Sequence, residues 1–515
     1  MLLRNNLTKK EKSRMKLQHF TLGLMLSMVM ASQVSHAYDL QASVASSSAT
    51  TTDSLNERIR RVEQGLSTLV VVKNAPKQTM TLAERMRFYQ VPAVSIAVVN
   101  NGQIEWARAY GVTQVGGKQA VTPNTLFQAG SVSKPVSALA ALHLVEQGKL
   151  QLDGDVNQQL RTWHLPDNEF TKDKKASLRH LLNHSAGVNV HGFYGYPMSQ
   201  KVPSLLDVLD GKPPANSEPV RVVAVPRSVW KYSGGGYSII QLMMIEASQK
   251  SFPQLMQETL FAPLKMTRSL YAERLPTDLQ KDAAVAHRGD GKAVDGLWHQ
   301  YPELAAAGLW STPFDLAKVI IEVQKAEAGQ SNKVLSSPMT KTMLTRVMGE
   351  TGLGFYIEQL ADRTSFSHSG GTDGFRTLLY GYTKTGQGAV VMVNSDNGAA
   401  LFEEIFASIA AEYNWPEFTV TQKATIPADA VLNKQLAGEF SLLNEPATIV
   451  AEGEQLYFQS KLLSAKPVRL YRESTTRFFA TAPDITISFE LDTQARVTGF
   501  SLLNGTSTYP ATRVK

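Results

Sequence analysis

Apolar residues recur at helical spacing at Leu55, Ile59, Val62, Leu66 and Leu69, just behind a Ser54-x-x-Glu57 capping box. The first ordered element is therefore expected to be a helix. A second helical stretch runs from about Leu82 to Tyr89 and stops before Pro92. Val94–Val99 and Ile104–Arg108 flank Asn100-Asn101-Gly102, which predicts a β-hairpin. The segment from Ser131 to about Gln147 reads as a buried helix stopped by Gly148. From about 150 to 360, short helices alternate with Gly/Pro-rich loops. Two strands follow, about Thr377–Thr383 and Ala389–Asn394, joined by a turn at Thr385-Gly386. A last helix carries Phe402, Ile405, Phe406, Ile409 and Tyr413 on one face. This order predicts an α+β fold, an antiparallel sheet flanked by both terminal helices with a helical subdomain inserted between the sheet's halves, over about 54–416. Residues 417–430 are expected to be a linker. From 431 to 515 short alternating strands, among them Gln455–Phe458, Arg477–Ala480 and Ile485–Phe489, predict a small all-β domain. No internal repeat is visible.

The N-terminus changes what the composition means. Six basic residues between Arg4 and Lys16 precede an apolar run from about Phe20 to Met30, and Ser35-His36-Ala37 offers small residues for cleavage. That is the layout of a signal peptide over 1–37, with an apolar run shorter than the ~20 residues a bilayer span requires. No cysteine follows that run, which excludes a lipoprotein anchor. The expectation is an exported bacterial protein, periplasmic or secreted and soluble once processed, with a Ser/Ala/Thr-rich flexible leader over 38–53. Against Glu11, the six cations place five of the net seven positive charges in the first 37 residues, leaving two for the remainder. That balance points to no nucleic acid and no anionic membrane surface. With no cysteine in the chain, thiolate nucleophiles, Cys-ligated metals and disulfides drop out together.

The candidate chemistry begins at Ser131-Val132-Ser133-Lys134. At a helix start, residues three apart share a face, and Pro135 is tolerated in the first turn. A serine hydroxyl attacks only when a base takes its proton. A lysine is such a base only where burial lowers its pKa from roughly 10.4 towards neutrality, and Phe127–Gly130 and Val136 supply apolar surroundings. Ser-x-x-Lys alone recurs by chance as a solvated helix start. Two further elements add weight. Tyr232-Ser233-Gly234-Gly235-Gly236-Tyr237 lacks the Gly-Lys-Ser/Thr of a phosphate loop; its glycines let backbone approach a ligand, and Tyr232 offers a second acid/base hydroxyl. His368-Ser369-Gly370-Gly371 looks like an edge strand with small residues facing a cleft.

In this order and separation, the three elements resemble the serine β-lactamase and penicillin-recognising superfamily, in particular its class-C-like, CubicO-type serine hydrolases. Leu178–Gly187 and Ala305–Thr312 are also similar, the resemblance spans roughly 80–415, and the C-terminal part resembles the lipocalin-like β domain of some members. It implies that Ser131 forms an acyl-enzyme and that Lys134 and Tyr232 share the general acid and base work, in an order left open. It further implies that the backbone amides of Ser131 and Gly371 form the oxyanion hole, and that His368 and Gly370 support the substrate. No cofactor and no metal are implied, and the partner is a small-molecule or peptide substrate. Two departures bear on that substrate. Gly234 stands where asparagine is usual and lacks an amide for an acylamino carbonyl; His368 lacks the permanent charge that would pair with a carboxylate. Esters or small amides and peptides are therefore expected ahead of β-lactams, with β-lactamase or D-alanyl carboxypeptidase or aminopeptidase activity as the alternative. A non-catalytic cell-wall binding or scaffolding protein of the same fold is the rival from another class. His180 and His184 have a zinc-like spacing, but no Glu follows the first His as in H-E-x-x-H, so a structural role is expected. Trp298–Glu303 is read either as cleft lining or as aromatic loop packing, and Ser133 and Ser233 either as proton relays or as backbone partners.

Overall fold

The computed structural model describes residues 54–514 apart from 77, 361, 461, 463 and 506; the expected signal peptide and leader lie outside the described residues. Residues 54–58, the described part of a first compact unit, are helical, and the second unit begins at Ile59. In that second unit residues 59–64 are helical with Ile59 and Val62 buried. The helix stops before Gly65, so Leu66 is not on its stripe: it bridges to Met80 instead.

The central sheet uses β1 (Ala93–Asn100), β2 (Gln103–Gly111), β3 (Tyr356–Leu360), β4 (Arg363–Thr372), β5 (Phe375–Tyr382) and β6 (Gly388–Val393). Their order is β2-β1-β6-β5-β4-β3, antiparallel throughout. The neighbouring strands β1 and β6 are buried on both faces, which is why Val94–Val99 reads as a nearly continuous apolar run rather than an alternation. The helices that matter are α1 (Leu82–Tyr89), α2 (Ser133–Glu146), α3 (Gly234–Ser248), α4 (Pro313–Glu327) and α5 (Gly398–Tyr413). Ile320 of α4 packs over Gly381 and Gly388, whereas Phe406 of α5 packs on Tyr380, the next residue along β5. Successive strand residues point to opposite faces, so α4 and α5 cover opposite sides of the sheet. Arg85 of α1 and Glu404 of α5 tie the flanking helices together through a buried bidentate pair at 2.5 and 2.6 Å.

Residues 112–355 enter between β2 and β3 and hold α2 and α3 at their centre. The expected succession of short helices and loops understates this part, since α3 and α4 have 15 residues each. Almost every side chain of α2 and of α3 is buried. A helix enclosed on all sides has no polar face to give a period, and α3 also opens on three glycines that read as loop.

Past α5, Thr421–Lys423 lies inside the expected linker but forms a strand, parallel to Val70–Val72. Eight strands from Gly438–Leu442 to Ser507–Arg513 then close a barrel, the first pairing with the last. Phe440, Phe458, Phe478, Phe489 and Phe500 fill its interior.

Candidate active site

Ser131 lies in a single 3₁₀ turn, Gly130–Val132, that leads directly into α2. The end of β4 crosses this turn at close range. A Cβ on Gly130, whose φ is +52°, would lie 2.6 Å from Gly371 N, and one on Gly370 would lie 2.0 Å from Ala129 O. Only glycine fits on both sides of this crossing, so the glycines of the His368–Gly371 element serve to bring a strand edge against the turn that holds Ser131.

Lys134, in the first turn of α2, is 2% exposed. Its Nζ lies 3.0 Å from Ser131 Oγ and donates to Ala306 O at 3.0 Å. The rings of Tyr232 and Tyr237 sit 4.9 and 5.7 Å from it. Burial drives its pKa down from 10.5 to about 7, and no carboxylate offsets that effect. An amine in this environment spends much of its time neutral at pH 7, with a lone pair beside a hydroxyl.

Tyr232 immediately precedes Ser233, the N-cap of α3, whose Oγ accepts the Gly236 N–H at 2.9 Å. Burial raises the Tyr232 pKa to about 12, with a hydrogen bond to Ser131 pulling the other way. Its phenol is surrounded by rings: His184 at 4.3 Å, His191 at 4.9 Å and His368 at 6.3 Å between centroids. His368 is buried on β4 with Nδ1 2.6 Å from Ser369 O. A carbonyl only accepts, so Nδ1 carries the proton and Nε2, which has no partner, is a bare acceptor. Burial first, and then Lys134, hold its pKa near 3.

The glycine run does something other than expected. Gly234–Gly236 form the first turn of α3, and the backbone they admit is the protein's own: Gly234 and Gly235 N–H donate to His191 O and Val190 O at 3.0 and 3.1 Å. A Cβ on Gly234 would meet Phe193 Cε2 at 2.9 Å, so an aromatic edge fills the space a side chain would need. Ser133 and Ser233 are backbone partners, Ser133 Oγ accepting the Leu309 N–H at 3.1 Å and Ser233 capping α3. His180 accepts the Ser177 N–H at the start of its own helix, whereas His184 faces Tyr232. Within Trp298–Glu303, Trp298 is buried against Trp310 at 5.0 Å, and Tyr301 Oη accepts the Asp373 N–H at 3.2 Å in the turn after Gly371. Glu303 is fully buried, neither of its oxygens has a hydrogen-bond partner among the described residues, and burial raises its pKa to about 8. Sequence reasoning missed Tyr356, 5.3 Å from His368, and Trp230, 6.4 Å from Tyr356, because β3 and the loop before Tyr232 carry no distinctive pattern.

Known proteins resemble the chain along most of its length. Penicillin-binding protein 4* of Bacillus subtilis (strain 168) is 23% identical over 481 residues, covering 86% of this chain and all of its own. The teichoic acid D-alanine hydrolase of Staphylococcus aureus (strain NCTC 8325 / PS 47) is 23% identical over 276 residues, 52% of this chain and 63% of its own. Among solved structures, the octameric penicillin-binding protein homologue from Pyrococcus abyssi superposes with a TM-score of 0.58 at 18% identity, over 83% of this chain and 98% of that one. The D-amino acid amidase of Ochrobactrum anthropi SV3 does so with 0.52 at 19% identity, over 65% and 95%. At such identities the structural likenesses speak to the fold alone. The β-lactamase family model, however, matches residues 80–413, well over half of the chain, and the chain belongs to that family of serine hydrolases.

Proposed function

We propose that the chain is an exported hydrolase of esters and small amides that works through an acyl-enzyme on Ser131. The observation that carries this reading is the fully buried Lys134 amine, 3.0 Å from Ser131 Oγ and without an acidic neighbour to keep it charged. In this scheme Lys134 takes the proton as Oγ bonds to the carbonyl carbon. The charge that develops on the carbonyl oxygen falls to the amides of Ser131 and Gly371, where losing one such donor typically costs on the order of 10²–10³ in rate. Tyr232, still protonated at neutral pH, donates to the departing oxygen or nitrogen as the carbonyl–leaving-group bond breaks, and Lys134 returns its proton to the phenolate. Water, activated the same way, then releases the acid and restores Ser131.

The preference for substrates without a carboxylate or an acylamino group follows from two replacements. His368 presents a neutral acceptor where a substrate carboxylate would need a donor or a cation. Phe193 occupies the space beside Gly234 that an acylamino-binding amide would fill. The name of the staphylococcal relative, a D-alanine hydrolase, and that of the structural neighbour, a D-amino acid amidase, are consistent with small acyl groups. Export rests on the basic and apolar N-terminal segment.

A serine-reactive phosphonate should add its mass to the peptide holding Ser131 and not to the Ser131→Ala protein. Side-by-side turnover of p-nitrophenyl acyl esters, D-alanyl peptides and a chromogenic cephalosporin should place esters first. Efficient cephalosporin cleavage would overturn the substrate assignment, and well-folded protein without adduct would overturn the enzyme.

A further inference from the structure

His184 closes the short helix Leu178–Leu182, in a stretch to which the proposed reaction gives no part. Its backbone is left-handed, with φ +63°, a conformation that glycine, asparagine, aspartate and histidine adopt more readily than other residues. The side chain is buried at 3% exposure. Three contacts from this one residue converge on Tyr232. The His184 carbonyl accepts the Lys231 N–H at 2.8 Å. Its Nδ1 accepts the Ser233 N–H at 3.1 Å. Its ring lies over the phenol, with centroids 4.3 Å apart and planes at 33°. The amides on both sides of Tyr232 and the face of its ring are thus held by a single side chain and its own carbonyl.

The chemistry of the imidazole suits that task. Because Nδ1 accepts, Nε2 must carry the proton. Burial, reinforced by Lys134 and by His368 and His191, keeps the ring uncharged. A neutral ring shields the phenol from water without adding a second positive charge near Lys134. A left-handed backbone at 184 is what lets the carbonyl and the ring of one residue point at the same neighbour.

We propose that His184 is the positioning residue for Tyr232, bracketing its two flanking amides and covering its ring so that the phenol stays at Ser131. This rests on Tyr232 acting in proton transfer, and the test separates the two claims. Asparagine at 184 keeps an acceptor atom where Nδ1 was and tolerates positive φ, but removes the ring; alanine removes both. Steady-state kinetics on a p-nitrophenyl ester and thermal melts would be measured for His184→Ala, His184→Asn, Tyr232→Phe and both double variants. His184→Ala should lower kcat at least about tenfold with KM within about threefold, and His184→Asn should recover only part of that loss, the share that belongs to the acceptor atom, leaving the share that belongs to the ring. In the Tyr232→Phe background either His184 change should cost less than about twofold, because residues acting as one unit are not additive. Losses that multiply in the double variants, or a loss confined to KM, would overturn the proposal. If His184→Ala fails to fold, His184→Gly, which accepts the positive φ without strain and removes ring and acceptor alike, takes its place in the cycle and decides by the same rule. Full activity of Tyr232→Phe alone would strike the underlying role of Tyr232, a result distinct from either.

Discussion

Replacing Lys134 with methionine should abolish activity and yet make the protein more stable, and the size of the gain can be worked from the site. Lysine in the unfolded chain titrates near 10.5, whereas burial in the fold lowers it to about 7. Between those values the unfolded chain holds one more proton than the folded one, so stability rises with pH in this window. The rise is about 1.4 kcal/mol per pH unit, or about 5 kcal/mol across it. Below pH 7 the whole penalty is present; above 10.5 it is gone. Methionine fills a similar volume without that penalty. It leaves Ala306 O, which now accepts from Nζ, unpaired at a cost of about 1–3 kcal/mol. The net expectation at pH 7 is a gain of about 2–4 kcal/mol, shrinking by about 1.4 kcal/mol for each pH unit above 7 until methionine becomes the poorer residue. Urea unfolding followed by tryptophan fluorescence measures this where it matters, because all six tryptophans precede residue 416 and none lies in the barrel. The wild-type protein and the variant are compared at each pH, so other groups that titrate alike in both cancel. A stability difference that stays flat from pH 7 to 9.5 would refute the reasoning, since it would mean that the amine is hydrated and charged in the fold.

Three further outcomes follow from the same geometry. The pH dependence of kcat/KM for a neutral ester should rise tenfold per unit below about pH 7 and level above it, because only the deprotonated Lys134 accepts the Ser131 proton; a profile flat from pH 5 to 9 would contradict this. Gly370→Ala places a methyl 2.0 Å from Ala129 O and 3.1 Å from Ser131 N, so phosphonate labelling of Ser131 should slow by at least about 10²-fold, the scale of a displaced oxyanion donor. Gly234→Asn should damage ester turnover by colliding with Phe193, 2.9 Å from the new Cβ. Combining it with Phe193→Ala should restore turnover and raise the preference for N-acylamino substrates roughly tenfold, a modest share of what a hydrogen-bonding pocket can discriminate. Equal substrate preference in the double variant and the wild type would dismiss Phe193 as the obstacle.

What could be read from the chain divides along a physical line. The β1–β2 hairpin, the stripe of α5 and the alternating strands of the barrel were legible, because each buries one side of itself or carries a turn that names it. α2 was found through its chemistry and its stop at Gly148, whereas α3 and α4 were undercounted. Enclosure on every side erases the period of α3, and its opening glycines look like a loop until Val190 and Val220 are seen packed at 3.1 Å from where a Cβ would stand on Gly235. The site divides in the same way. Ser131 and Lys134 are three residues apart across the start of one helix, so their meeting was implied by spacing. What lowers the Lys134 pKa is burial, and the groups that enclose it come from elsewhere: the carbonyl of Ala306, the rings of Tyr232 and Tyr237, and the two neutral imidazoles of His184 and His368. Their common feature is that none brings a negative charge. A motif can place two groups three residues apart, but only the fold can decide that no carboxylate arrives to hold the amine protonated, and it is that exclusion on which the proposed pairing of a nucleophile with its base depends.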